Sequence, residues 1–164
     1  MNDRLIIGVL GNRNSGKSKT WNTLFDKTVI TGTHKRKLQL SETEWTSVFL
    51  ISGSPEERET YVGNIIGNAN PQIVLCSMQY REDVTKTIDY FAKHNYDFII
   101  HWLNPGFNDG IKIEDSIQLI PHILNYNSLV GIRHGKADPR ERVNEIKKIL
   151  RGWANGRGLL HNTN

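Results

Sequence analysis

Residues 11–18 read Gly-Asn-Arg-Asn-Ser-Gly-Lys-Ser, two glycines framing four other residues, followed at once by lysine and serine. Glycines at both ends let the backbone curl so that successive N–H groups face one concavity, at the positive end of the helix that follows. A lysine beside such a concavity supplies a mobile cation for the outer phosphates of a nucleotide, and the serine hydroxyl can ligate Mg2+. The spacing therefore assigns phosphate binding to Gly11, Asn12, Arg13, Asn14, Ser15, Gly16, Lys17 and Ser18, with Lys19 one position beyond. Lys17 is expected to stabilise charge on the β- and γ-phosphates, and Ser18 to hold the metal.

Such a loop works only between a buried strand and a helix. The run RLIIGVL, residues 4–10, is continuously apolar, as in a strand covered on both faces. A helix is expected from Gly16 through KSKTWNTLF, with Trp21, Leu24 and Phe25 at helical spacing. Two β-prone stretches, Lys35–Leu40 and Trp45–Ser52, flank the polar link SETE and read as a hairpin. The segment SGSPEERE suits the start of a helix running to about Ile66. Strands are expected at 72–78, 96–103 and 128–133, and a helix follows the first of these, with Val84, Ile88 and Phe91 on one face. The pattern of IEDSIQLIPHILNY is helical, with a kink or split expected at Pro121. The last helix opens on Asp138 as N-cap and Pro139 in its first turn, with Val143, Ile146, Ile149, Leu150 and Trp153 facing inward. The alternation predicts an α/β three-layer sandwich, α/β/α, with a mostly parallel central sheet and one antiparallel strand. Residues 1–155 are expected to form one nucleotide-binding domain, and 156–164 a mobile tail without strong pattern.

The loop matches the phosphate-binding loop of the P-loop NTPases, and the first two-thirds of the chain resembles, in element order, the Ras-like, translation-factor-related GTPases. The resemblance implies a P-loop NTPase fold, Mg2+ with ATP or GTP as ligand, and slow hydrolysis that a protein activator can speed with an arginine. It also implies a switch threonine in VITGTHKRK; Thr31 and Thr33 are both candidates, and Thr33 is taken as the metal-holding, catalytic one. Where the family carries Asp-x-x-Gly after the hairpin, this chain reads Ser52-Gly53-Ser54, with Glu56 and Glu57 following. Where the family reads guanine with Asn-Lys-x-Asp, the chain has Asn104-Pro105-Gly106-Phe107-Asn108-Asp109, of which Asn104 is the matching position, while the composition of the loop reads first of all as a turn. Both motifs are degenerate, so ATP and GTP stay open. A small-molecule kinase shares the loop and the sheet but usually adds an arginine-rich lid, which is not evident here. A module that binds nucleotide without hydrolysis is the third reading.

Bulk properties bound the rest. The chain has 164 residues, a net charge of +4 and a single cysteine, Cys76, so neither a disulfide framework nor a cysteine-rich metal site is expected. No apolar run approaches the ~18–20 residues of a membrane span, and the amino-terminal segment reads as a strand rather than a secretion signal, so a cytoplasmic protein is expected. Basic residues cluster at His34–Lys37 and again from Arg133 onward, where eight Lys/Arg face three acids. Nucleic acid could bind such patches, but a solvated helix face and an exposed loop are the favoured explanation. His101 and His122 lack ligand spacing; His101 reads as a packed or hydrogen-bonded core residue and Cys76 as inert within an apolar strand.

Overall fold

The computed structural model describes residues 2–163. In chain order the elements are β1 (Arg4–Gly11), α1 (Lys17–Phe25), β2 (Lys35–Gln39), β3 (Glu44–Ile51), α2 (Val62–Ile66), β4 (Ile73–Gln79), α3 (Val84–Lys93), β5 (Tyr96–Leu103), α4 (Leu119–Leu124), β6 (Ser128–Arg133), α5 (Pro139–Asn155) and β7 (His161–Asn162). The strands form one sheet in the order β2-β3-β4-β1-β5-β6, with β7 beside β3. Strands β3, β4, β1, β5 and β6 run parallel. The expected hairpin is present, and β2 is antiparallel to β3. A second antiparallel strand, β7, also pairs with β3, through Glu44↔Asn162 and Trp45↔His161.

Strand β1 sits in the middle because its side chains are apolar on both faces. Leu5, Ile7 and Val9 pack with Trp21 and Leu24 of α1 and Val143, Ile146 and Leu150 of α5. Ile6 and Leu10 pack on the other face, with Val62 and Ile66 of α2, Val84, Ile88 and Phe91 of α3, and Leu119 and Ile123 of α4. The period of two thus divides one strand between two helical layers. The carboxyl ends of the parallel strands gather along one rim, and the chain leaves β1 toward one face but β4 and β5 toward the other. Such a crevice is where open α/β sheets bind ligands.

Two helices begin later than the sequence suggests. Residues 55–59 form turns rather than the first half of a helix, and α2 holds only Val62–Ile66. Ser54 Oγ accepts from the Glu57 N–H, Glu56 is drawn into the interior, and Glu59 has a positive φ of 50°, which halts helical propagation. Likewise α4 starts at Leu119: the two Asp115 carboxylate oxygens accept from the Leu119 and Ile120 N–H groups, and Gln118 has φ 54°. Pro121 then falls in the first turn, where a missing N–H costs nothing, so it neither kinks nor splits the helix. The tail folds back: Leu159 C=O accepts from Thr46 Oγ1 at 2.9 Å before β7 begins. None of the helices among the described residues is long and apolar enough to cross a membrane.

Candidate functional site

The loop leaves β1 at Gly11 and enters α1 at Lys17. Asn14 and Gly16 both lie at positive φ, 60° and 109°, the conformation that curls the backbone. Within it the Ser15 N–H donates to Asn12 C=O at 3.2 Å, and the first helical bond runs from Thr20 N–H to Gly16 C=O at 3.1 Å. The N–H groups of Gly16, Lys17, Ser18 and Lys19 have no hydrogen-bond partner among the described residues. They are the orphan donors of a helix start, directed at one place.

Lys17 arches over the loop. Its ammonium donates to Asn12 C=O at 2.7 Å, to Gly11 C=O at 3.1 Å and to Gln79 Oε1 at 3.1 Å. The Glu57 carboxylate stands 3.9 Å away. Burial lowers the Lys17 pKa, while Glu57, Glu56 and Asp109 oppose the shift. A cation held this way has all three donors engaged, two of them on backbone carbonyls that a phosphate oxygen can replace. The adjoining cleft has a volume of about 480 Å³ and is lined by Arg13 through Lys19, Ser52 to Ser54, Glu57, Phe107 and Asn108. Arg13, Lys17 and Lys19 outnumber its one carboxylate, which suits a polyphosphate.

Two other loops hold this shape. Phe107 N–H donates to Ser15 C=O at 2.8 Å, and Gly135 N–H donates to Pro105 C=O at 2.8 Å. A side chain at Gly135 would meet Phe107 N and Ser15 O at 2.6 Å, both backbone atoms, so the three loops approach as closely as glycine permits. A buried relay runs beneath them. Trp21 Nε1 donates to Ser77 Oγ at 2.7 Å, and Ser77 Oγ donates to Ser52 C=O at 2.7 Å. Helix α1 is thereby tied, through β4, to the end of β3.

Of the residues expected from the sequence, those from Gly11 to Lys19 are brought together. Lys19 also extends its ammonium over the Phe107 ring, 4.6 Å from the centroid. Thr33 is exposed and does not line the cleft; its C=O accepts from Arg36 Nε. Thr31 is the nearer of the two threonines, with Oγ1 3.4 Å from Ser52 Oγ. Asn104 is buried and spent on its own loop: Nδ2 donates to Ile113 C=O at 2.8 Å, and Oδ1 accepts from Ile113 N–H at 2.6 Å. Asp109 turns back in the same way, accepting from Gly106 N–H at 3.0 Å and from Asn12 Nδ2 at 3.4 Å. In this conformation both ends of the Asn104 amide and one of the two Asp109 oxygens are taken.

The two glutamates after β3 separate. Glu57 faces the cleft. Glu56, 4% exposed, accepts from Gln79 N–H at 2.8 Å and from Thr87 Oγ1 at 2.6 Å, joining the β3 loop to β4 and α3. Burial raises its pKa, and the two hydrogen bonds resist the shift.

Sequence reasoning assigned no role to the Gln79 side chain, which accepts from Lys17, or to Arg142, whose guanidinium lies beside Gly16. Gln79 ends a strand whose every residue is buried, so a polar side chain there was a signal. Arg142 lies one helical turn before Ile146 on the apolar stripe of α5, a charge where the pattern asks for none. His101 and Cys76 are buried packing residues as expected, with the His101 pKa lowered by burial. Half of the basic residues of the carboxyl-terminal region are paired: Arg133 with Glu145, Arg140 with Asp138, Arg151 with Glu44 and Arg157 with Asp3. No protein-family model matches the chain, and no curated protein matches it closely enough to count as a relative.

Proposed function

We propose that this protein binds a nucleoside triphosphate, ATP or GTP, with Mg2+ in the Gly11–Ser18 loop and hydrolyses it slowly, on a fold of the P-loop NTPase type. The observation that carries the reading is the set of partnerless N–H groups at Gly16, Lys17, Ser18 and Lys19, converging with the Lys17 ammonium on a 480 Å³ cleft. Four oriented donors and a displaceable cation fit the triply charged end of a nucleotide better than any neutral ligand.

The residues would divide the work as follows. Backbone N–H groups 16–19 grip the β-phosphate, and Lys17 exchanges its bonds to Gly11 and Asn12 for phosphate oxygens. The Ser18 hydroxyl and, across the cleft, the Glu57 carboxylate are the groups to hold Mg2+, which when bound neutralises charge on the outer phosphates. Gln79, already on Lys17, can hold a water at the outer end of the loop. Hydrolysis then rests on positioning and fixed charge, and stays slow without an added arginine from a protein partner. Thr33 reaches the metal only if its exposed loop moves inward. The resemblance to the Ras-like GTPases rests on the loop and the element order alone; the sheet, in which β4 lies between β3 and β1, lends it no support. Binding without hydrolysis is the second reading, favoured by a cleft whose single carboxylate already stands 3.9 Å from Lys17.

The test is a panel of ATP and GTP with Mg2+, measuring affinity and released phosphate for wild type and Lys17→Ala. Wild-type binding with phosphate release, both reduced by Lys17→Ala, is expected. Absence of binding to either nucleotide would refute the proposal. Binding without phosphate release would select the non-hydrolysing module, and release only on adding a small acceptor would select a kinase.

A further inference from the structure

Arg142 is 3% exposed, yet no ion pair among the described residues includes it. The nearby acids are taken: Glu145 by Arg133, and Asp138 by Arg140. Its Nε donates to Thr20 Oγ1 at 2.9 Å and one terminal nitrogen to Ala137 C=O at 3.3 Å. The other terminal nitrogen is buried without a partner. That orphan lies 3.4 Å from where a side chain at Gly16 would begin, directly behind the phosphate loop. A buried, unbalanced guanidinium is costly, and proteins retain one where a counter-charge arrives from elsewhere.

The hydrogen bonds indicate where it arrives. Thr20 Oγ1, which accepts from Arg142, donates to Gly16 C=O at 3.0 Å. In a trans peptide the carbonyl and the following N–H point in opposite directions. Drawing the Gly16 carbonyl back therefore aims the Lys17 N–H forward into the concavity, and the chain of donors polarises that peptide.

We infer that Arg142 is a positioning residue for the anion in the Gly11–Ser18 loop: its charge, unbalanced in the empty protein, is balanced by the bound phosphates across the thickness of one glycine. The inference rests on the phosphate-binding reading above. It predicts opposite effects on the two states of the protein. Neutralising Arg142 removes a penalty from the empty state and support from the anion-bound state, whereas a purely structural link between α5 and α1 would weaken the empty state alone.

The experiment uses inorganic tripolyphosphate and Mg2+·ATP or Mg2+·GTP as probes, with thermal melting and titration of wild type, Arg142→Met and Arg142→Lys. The methionine variant is expected to melt no lower than wild type without ligand, and to bind tripolyphosphate about tenfold more weakly, as one charge acting over a short, partly shielded distance implies. Arg142→Lys keeps the charge and should bind within about threefold of wild type on the same grounds. Unchanged affinity in Arg142→Met overturns the inference. So does a folded Arg142→Lys protein that binds tripolyphosphate about tenfold or more weakly than wild type, and this arm, read against wild type alone, remains decisive if the methionine variant does not fold. Wild type that binds neither tripolyphosphate nor nucleotide overturns the phosphate-binding reading itself, a distinct outcome.

Discussion

Replacing Glu56 by alanine strands two buried donors, the Gln79 N–H and the Thr87 hydroxyl, that now end on its carboxylate. Each loses a partner at about 1–3 kcal/mol, partly offset by removal of a buried charge, so Glu56→Ala should cost about 2–4 kcal/mol. Glu56→Gln keeps an acceptor for Gln79 and can donate to Thr87 Oγ1, and should stay within about 1 kcal/mol of wild type at neutral pH. The two variants also separate with pH. Burial raises the Glu56 pKa above its ordinary 4.5, so the native state holds the proton more tightly than the unfolded chain. The glutamate's contribution to stability is thus fully present below the unfolded value and is lost as pH rises through the raised one. Glutamine does not titrate, so the stability of Glu56→Gln relative to wild type should climb across that interval and level off above it. Urea unfolding followed by tryptophan fluorescence at pH 4, 6 and 8 measures this. A glutamine variant as damaged as the alanine variant, or a gap that ignores pH, would refute the reasoning.

Gly135→Ala drives a methyl group against Phe107 N and Ser15 O; backbone atoms cannot step aside, so a loss of at least about 1–3 kcal/mol is expected in denaturant titration, with weakened nucleotide affinity. Trp21→Phe deletes the indole donor to Ser77 and should cost about 1–3 kcal/mol, measured by urea unfolding. The Asp138 carboxylate caps α5 through the Arg140 N–H and is held at a pKa of about 2, chiefly by the Arg140 side chain. Its stabilising share is fully present above the ordinary carboxylate value of 3.8 and is lost as pH falls from there through the folded value, so the melting difference between wild type and Asp138→Ala should hold at pH 6, begin to shrink near pH 4 and vanish below about 2.

Local patterns were legible because local physics decides them. Continuous apolar runs became the inner strands, and Asp138-Pro139 opened α5 as read. The curl of the Gly11–Ser18 loop between β1 and α1 was legible for the same reason: it is set by Gly16 and its neighbouring backbone. What depended on distant partners was not. The start of α2 was misplaced because Glu56 answers to Gln79 and Thr87 rather than to its own helix dipole. Asn104 resembled a base contact in sequence, but Ile113 claims both ends of its amide. The insertion of β4 between β1 and β3 follows from pairing across the whole chain, which no local pattern encodes.

The central place of β1 has a consequence for the order in which the molecule comes together. Its neighbours are β4 and β5, with Leu5 opposite Ile73 on one side and Asp97 on the other, so the first strand has no early partner. Such distant pairings are slow to form, because each must close a long stretch of chain before any contact rewards it. The residues behind the glycine loop come later still, at Phe107, Gly135 and Arg142. During synthesis the complete motif is therefore made long before it is shaped. A nascent chain halted ahead of Phe107 would carry every residue of the loop, yet lack all three supports that hold its shape.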